Sequence, residues 1–134
     1  NHGDLTATQM RSLLDQVGHP RVGVCLDTGN ALFRREDPLD CARILAPYVR
    51  SMHLKDWTMS FDAEGRPTWQ ERVLGQGQIP VREMLAMALA ARPDLYIALE
   101  TPVRPSEDEA ETIQREWRNA VANAAAARHM LVHN

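Results

Sequence analysis

The stretch Arg50-Ser51-Met52-His53-Leu54-Lys55-Asp56-Trp57 (RSMHLKDW, residues 50–57) decides how the rest of the chain is read. Residues 49–54, VRSMHL, predict a short apolar strand that ends on a histidine and is followed at once by a lysine and an aspartate. Strands of α/β proteins are covered on both faces and so are apolar, and polar chemistry gathers where they end. Two further runs end in the same way: VGVCLD (22–27) stops on Asp27, and LYIALE (95–100) stops on Glu100. One Asp, one His and one Glu, each at the carboxyl end of its own strand, form a candidate constellation.

The segments between these strands have helical patterns. Thr6 with Gln9 has the form of a capping box, and Met10, Leu13, Leu14 and Val17 follow at helical spacing until Gly18 and Pro20, which predicts a helix over 7–17. Asp37 and Pro38 open a second helix that runs to about Ala46. A third covers 80–91, with Val81, Leu85, Ala88 and Leu89 inward. Ser106 with Glu109 reads as a second capping box, opening a long helix to about His129 whose inward stripe is Ala110, Ile113, Trp117, Val121 and Ala124. The last residues, HMLVHN, read as a frayed end or a packed tail. Residues 57–79 form the longest irregular stretch, and a loop of that length in a compact domain is usually functional or mobile. Its tryptophans and arginines, Trp57, Trp69, Arg66 and Arg72, would close over a substrate or pin a surface hairpin. Helices alternating with strands imply a parallel sheet with right-handed crossovers.

Bulk composition narrows the classes. The 134 residues are 44% hydrophobic and 25% charged, ordinary for a globular protein of single-domain length. A formal charge of −3 supplies no basic footprint for nucleic acid. Cys25 and Cys41 read as buried thiols, which points to a reducing compartment and a cytoplasmic location. No run of 18 apolar residues is present, so no membrane partner is expected.

Two carboxylates and an imidazole are a mixed set of hard and borderline donors, suited to Mn²⁺, Mg²⁺, Co²⁺ or Zn²⁺. Such an ion can grip the vicinal oxygens of a hydroxy-ketone, and a carboxylate beside it can move the proton. Each residue also has a plain structural reading. Asp27 could cap the next helix, His53 could be a hydrogen-bonded core histidine, and Glu100 could be a solvated loop residue. The arrangement, and no single residue, favours the site.

CLDTGN (25–30), MHLKDW (52–57), LGQGQIP (74–80) and IALETP (97–102) resemble the motif series in the C-terminal half of the sugar phosphate isomerase/epimerase family. That family has the xylose isomerase-like (β/α)₈ TIM barrel. The resemblance implies an α/β chain, residues 1–134 forming a single partial domain that is the C-terminal half of such a barrel. It implies a divalent metal held by Asp27, His53 and Glu100, with Glu100 also a catalytic acid–base group. A fourth ligand, a Glu, would stand just before Asn1, and strands one to four and most of strand five would lie outside the chain. Asn30 falls where relatives contact substrate. His2, Lys55, Asp56 and Trp57 are further candidates for substrate binding, although Lys55 and Asp56 could equally form an ion pair at the rim.

The first expectation is a metal-dependent isomerase or epimerase of a small sugar or hydroxy-ketone, acting by proton abstraction next to a carbonyl, with homo-oligomers common among relatives. A dehydratase of a keto-inositol or related polyol is the alternative on the same scaffold. Relatives that cleave abasic DNA need more His and Asp ligands and a basic groove. A non-catalytic or inactive barrel fragment is the remaining class. The metal reading requires the three side chains to converge within about 3–5 Å.

Overall fold

The computed structural model of the chain describes residues 1–132. Helix α1 (Ala7–Val17) starts at the capping box expected from sequence: Gln9 N–H donates to Thr6 Oγ1 at 3.2 Å, and Thr6 N–H donates back to Gln9 Oε1 at 2.9 Å. Gly18 ends it in the left-handed conformation, φ 55°. Leu14 is buried, whereas Leu13 and Val17 are exposed. Strand β1 (Val24–Asp27) follows, and a short 3₁₀ turn over Asn30–Arg34 leads to α2 (Pro38–Leu45). Asp37 caps α2 by accepting from Leu39 and Asp40 N–H, with Pro38 in the first turn.

Strand β2 (Val49–Leu54) pairs in parallel with β1 and with β5 (Tyr96–Leu99), giving a sheet ordered β1–β2–β5. Helix α3 (Val81–Ala91) makes the crossover between β2 and β5 and buries Val81, Met84, Leu85 and Ala88. These side chains join Leu26, Leu45, Val49, Met52 and Leu54 in the core, all at most 1% exposed. The register sets Asp27 beside His53 and His53 beside Ala98. Glu100 N–H continues the ladder by donating to Leu54 C=O at 3.0 Å. The three strand exits therefore lie at one level.

Three expectations are corrected. Residues 57–79 are not irregular throughout: β3 (Asp56–Phe61) and β4 (Pro67–Arg72) form an antiparallel hairpin. Trp57 and Trp69 meet across it with ring centroids 5.4 Å apart, and Phe33 packs edge-on against Trp57 at 5.3 Å. The hairpin alternative is the one realised. The long helix α4 (Glu109–Val132) is capped by Asp108, whose Oδ1 accepts from Ala110 and Glu111 N–H, and not by Ser106, which instead bonds to Thr112 and the Asp108 carbonyl. The expected inward stripe of α4 faces out, with Ile113, Trp117 and Val121 at 57%, 71% and 55% exposure. Its buried residues are Asn123, Ala127 and Met130, and Asn123 Oδ1 accepts from Leu74 N–H at 2.9 Å. Residues 129–132, read as a frayed end or a packed tail, continue the helix with Met130 buried and Leu131 and Val132 exposed; His133 and Asn134 lie outside the described residues.

After β4 the chain folds back beneath the hairpin in the turn around 73–79. Gly77 is required there, because a Cβ at this position would stand 2.1 Å from Asp56 Oδ1 and 2.8 Å from the Trp57 carbonyl. Gly77→Ala is expected to lower stability by about 1–3 kcal/mol, the usual cost of overpacking, read as an earlier urea midpoint with an unchanged slope.

Candidate metal centre

The strand register carries Asp27, His53 and Glu100 into one cluster whose potential ligand atoms all lie within 4.8 Å of one another. His53 Nδ1 is 3.2 Å from Glu100 Oε2 and 3.9 Å from Asp27 Oδ2. The two oxygens of Asp27 have separate tasks. Oδ1 accepts from Gly29 and Asn30 N–H at 2.9 and 3.0 Å, so Asp27 does cap the turn that follows β1. Oδ2 points at the cluster, where it is buried 3.9 Å from His53 Nδ1 and 2.9 Å from the Lys55 ammonium. Two carboxylates and an imidazole converging from three strands, with this oxygen balanced by a single ammonium, form a donor set that fits a divalent cation, and these three residues are the ones that would hold it.

Burial pushes the Asp27 carboxyl above its ordinary value, with the Lys55 charge opposing it. At Glu100 burial also pushes upward, but the hydrogen bond and charge of Lys55, helped by Asp27 and His53, outweigh it, and the carboxyl is held below its usual range. Glu100 is therefore ionised near neutral pH, the form that can accept a proton. Its side chain is 42% exposed and faces a cleft of about 390 Å³.

That cleft is lined by the three cluster residues together with Asn1, His2, Cys25 and Asn30. Asn30 lies at its wall, nearly buried, and donates from Nδ2 to the Asn1 carbonyl at 3.0 Å. His2 reaches the mouth with an exposed ring 3.9 Å from Asp4. Lys55 enters the cluster from the residue after β2, with Nζ 2.9 Å from Asp27 Oδ2 and 2.8 Å from Glu100 Oε1. It pairs with these two and not with its neighbour Asp56.

Asp56 and Trp57, expected to contact substrate, are not among the residues that line this cleft. Asp56 is turned into the loop below, where Oδ2 accepts from Gly75 and Gly77 N–H at 2.9 and 2.8 Å and Oδ1 accepts from Ile79 N–H at 3.2 Å. Burial pushes its carboxyl upward, against these donors. Trp57 is buried among Phe33, Trp69 and the Lys55 ammonium, 5.0 Å from its ring. The chain leaves the sheet at Lys55 to enter the hairpin, so both side chains serve the hairpin base.

Two contributors went unseen in the sequence. Thr28 Oγ1 accepts from Lys55 N–H at 2.9 Å and donates to the Lys55 carbonyl at 2.7 Å, fixing the backbone from which the lysine projects. Asn1 Oδ1 accepts from Asp27 N–H at 2.7 Å along the outer edge of β1. The position of Thr28 next to Asp27 was the only signal for the first, and the second is a contact between distant segments.

Comparison with known proteins agrees with this architecture. A family model described as a xylose isomerase-like TIM barrel matches residues 1–123. A 3-oxo-isoapionate decarboxylase of Pectobacterium atrosepticum is 27% identical over 108 residues, covering 79% of this chain and 34% of that protein. The uncharacterized protein YihM of Escherichia coli is 25% identical over 84 residues, covering 63% and 26%. The chain thus spans about a third or less of the curated relatives it matches. Among solved structures, a xylose isomerase domain protein from Planctomyces limnophilus aligns over 98% of this chain and 44% of its own, with TM-score 0.69 and 22% identity. A xylose isomerase-like TIM barrel protein from Mycobacterium smegmatis, in complex with magnesium, aligns over 90% and 40%, with TM-score 0.61 and 23% identity. At these identities the solved structures speak for the fold. No helix among the described residues is long and apolar enough to cross a membrane.

Proposed function

The chain belongs to the xylose isomerase-like TIM barrel family, and from that footing we propose that its protein is a metal-dependent isomerase or epimerase of a small sugar or hydroxy-ketone. The observation that carries the reading is the convergence of Asp27, His53 and Glu100 at the exits of three adjacent parallel strands. The divalent ion they would hold supplies Lewis-acid polarisation of a carbonyl and neighbouring hydroxyl. Glu100 takes the proton from the carbon next to that carbonyl and returns it, either to the adjacent carbon or to the same one. Asn30, on the cleft wall, hydrogen-bonds substrate hydroxyls, and His2 stands at the entrance. A cytoplasmic setting fits Cys25 and Cys41, which are both free thiols.

We further propose that residues 1–134 are the second half of the barrel. Support comes from the outer edges of β1 and β5, which pair with no strand among the described residues, and from the apolar stripe of α4 that nothing described covers. The remaining barrel would close both edges and bring a fourth ligand, a carboxylate, to the strand beside β1.

A lyase reading on the same site is favoured by the relative named as a decarboxylase. Loss of carbon dioxide, or of a β-hydroxyl from a keto-inositol, leaves or consumes the same enolate that proton removal generates. One experiment separates these outcomes. The full protein loaded with Mn²⁺ is incubated with aldoses, ketoses and keto-polyols in D₂O and followed by NMR. Deuterium is expected at the carbon next to the carbonyl, and EDTA should abolish exchange until Mn²⁺ is restored. Elimination or decarboxylation without interconversion of isomers would replace the isomerase reading by the lyase one. Exchange that persists unchanged in EDTA-stripped protein would overturn the metal mechanism.

A further inference from the structure

We propose that Lys55 is a resident cation of the metal site: its ammonium holds Asp27 and Glu100 together before metal arrives and is displaced from Asp27 when a divalent ion binds. The inference rests on reading Asp27, His53 and Glu100 as the ligand set. The two carboxylates belong to strands that are not neighbours, β1 and β5, with β2 between them. Brought into one cluster without a cation they would repel. Lys55, leaving β2, spans them with contacts of 2.9 and 2.8 Å.

The side chain is built into this place. It is 4% exposed, so little water reaches the ammonium, and Thr28 clamps its backbone from both sides. Below, the Trp57 ring lies 5.0 Å from Nζ and offers a second, weaker interaction for positive charge. The two carboxylate contacts are unequal. Nζ donates an aligned hydrogen bond to Glu100 Oε1, whereas its approach to Asp27 Oδ2 lacks hydrogen-bond alignment. Asp27 Oδ2, the oxygen approached without that alignment at 2.9 Å, is the one that would ligate the metal. A lysine's flexible stem and single point charge allow it to leave that oxygen while keeping Glu100.

Charge arithmetic gives the sign of the test. Asp27 and Glu100 together carry −2, Lys55 returns +1, and a divalent ion would add +2 to the same cluster. Removing the lysine removes the repulsion felt by the ion and leaves the empty carboxylate pair uncompensated. In the full protein at one fixed pH, Lys55→Met is therefore expected to bind Mn²⁺ more tightly by about tenfold or more, read from the free-Mn²⁺ EPR signal. Without metal the variant should melt below the wild type, and saturating Mn²⁺ should close most of the gap. Lys55→Arg keeps the charge and should show no gain in affinity.

An unchanged or weaker Mn²⁺ affinity in Lys55→Met would overturn the proposal. If that variant does not fold, crystals of the wild type soaked in MnCl₂ decide. With Mn²⁺ bound, Nζ should lie beyond hydrogen-bonding distance of Asp27 Oδ2, and an unmoved Nζ would overturn the proposal equally. Asp27→Asn guards the underlying reading. It should lose Mn²⁺ binding, and if it binds as the wild type does, the ligand assignment itself has failed, whatever Lys55 does.

Discussion

Glu100→Gln is expected to lower kcat by about 10²–10⁴-fold at saturating Mn²⁺, the range seen when a general acid–base group is lost. The size of the effect follows from the two positions Glu100 occupies at once. Oε2 faces His53 within the ligand cluster, while the side chain stays open to the cleft, held ionised by Lys55. Glutamine keeps an oxygen for the metal and fills the same volume, but it cannot accept the proton. Two measurements therefore divide the roles. Mn²⁺ affinity reports the ligand role and should weaken, while kcat at saturating Mn²⁺ reports the proton-transfer role and should stay low. Full recovery of kcat with excess Mn²⁺ would leave Glu100 as a ligand alone and move the acid–base work elsewhere. Because the side chain is half exposed and its carbonyl oxygen can still accept from Lys55, the melting temperature should change little. A large fall in stability would mean that lost activity reports unfolding.

The parts of this site that could be read in the sequence are those fixed by local pattern. Each residue of the cluster stands at or beside the end of a run of strand-forming residues, and parallel pairing then places strand ends at one level, so Asp27, His53 and Glu100 were bound to be neighbours once the strands were. The Thr6–Gln9 box and the Asp37–Pro38 start were legible for the same reason, because a cap is made within one turn. Asp27 holds two roles at once. It caps the next turn through Oδ1 and faces the cluster through Oδ2, and neither use excludes the other.

What stayed hidden depends on contacts between distant segments. The strands of the hairpin, DWTMSF and PTWQER, interleave polar with apolar residues, bury only Asp56 and Trp57, and pair only with each other, so they carry none of the apolar continuity that marked the central sheet. The stripe on α4 was correctly periodic and wrongly placed. Helical spacing reports that a face is apolar, whereas its covering depends on which neighbour is present. Here the buried residues of the helix lie in its last turns, at Asn123, Ala127 and Met130, while farther up the helix makes polar contacts such as Arg115 to Glu71 of β4. Lys55 and Asp56, adjacent in sequence, go to different places because the chain turns from the sheet into the hairpin between them.

That divergence gives the largest expected effect on stability. Asp56→Ala is expected to cost about 3–5 kcal/mol, since the three N–H groups of Gly75, Gly77 and Ile79 lose their acceptor together and each stranded amide costs about 1–3 kcal/mol. Asp56 is 4% exposed and Ile79 is buried, so water has least access to the Ile79 amide, whereas Gly75 is exposed and sets the lower end of the range. Asn in its place retains one carbonyl oxygen for three donors and should fall between Ala and the wild type. Urea titration of the full protein measures the loss, and a cost below about 1 kcal/mol would show that the loop amides find water after all. The same loop supplies an internal check. In the wild type a Cβ on Gly77 collides first with Asp56 Oδ1, at 2.1 Å, and then with the Trp57 carbonyl, at 2.8 Å. Truncating Asp56 removes the first obstacle, so Gly77→Ala should cost less in the Asp56→Ala background than in the wild type. Residues in contact give such non-additivity of about 0.5–3 kcal/mol. Strict additivity would mean that Asp56 and Gly77 stabilise the protein separately, and the carboxylate would then not be what shapes the turn beneath the strand that carries His53.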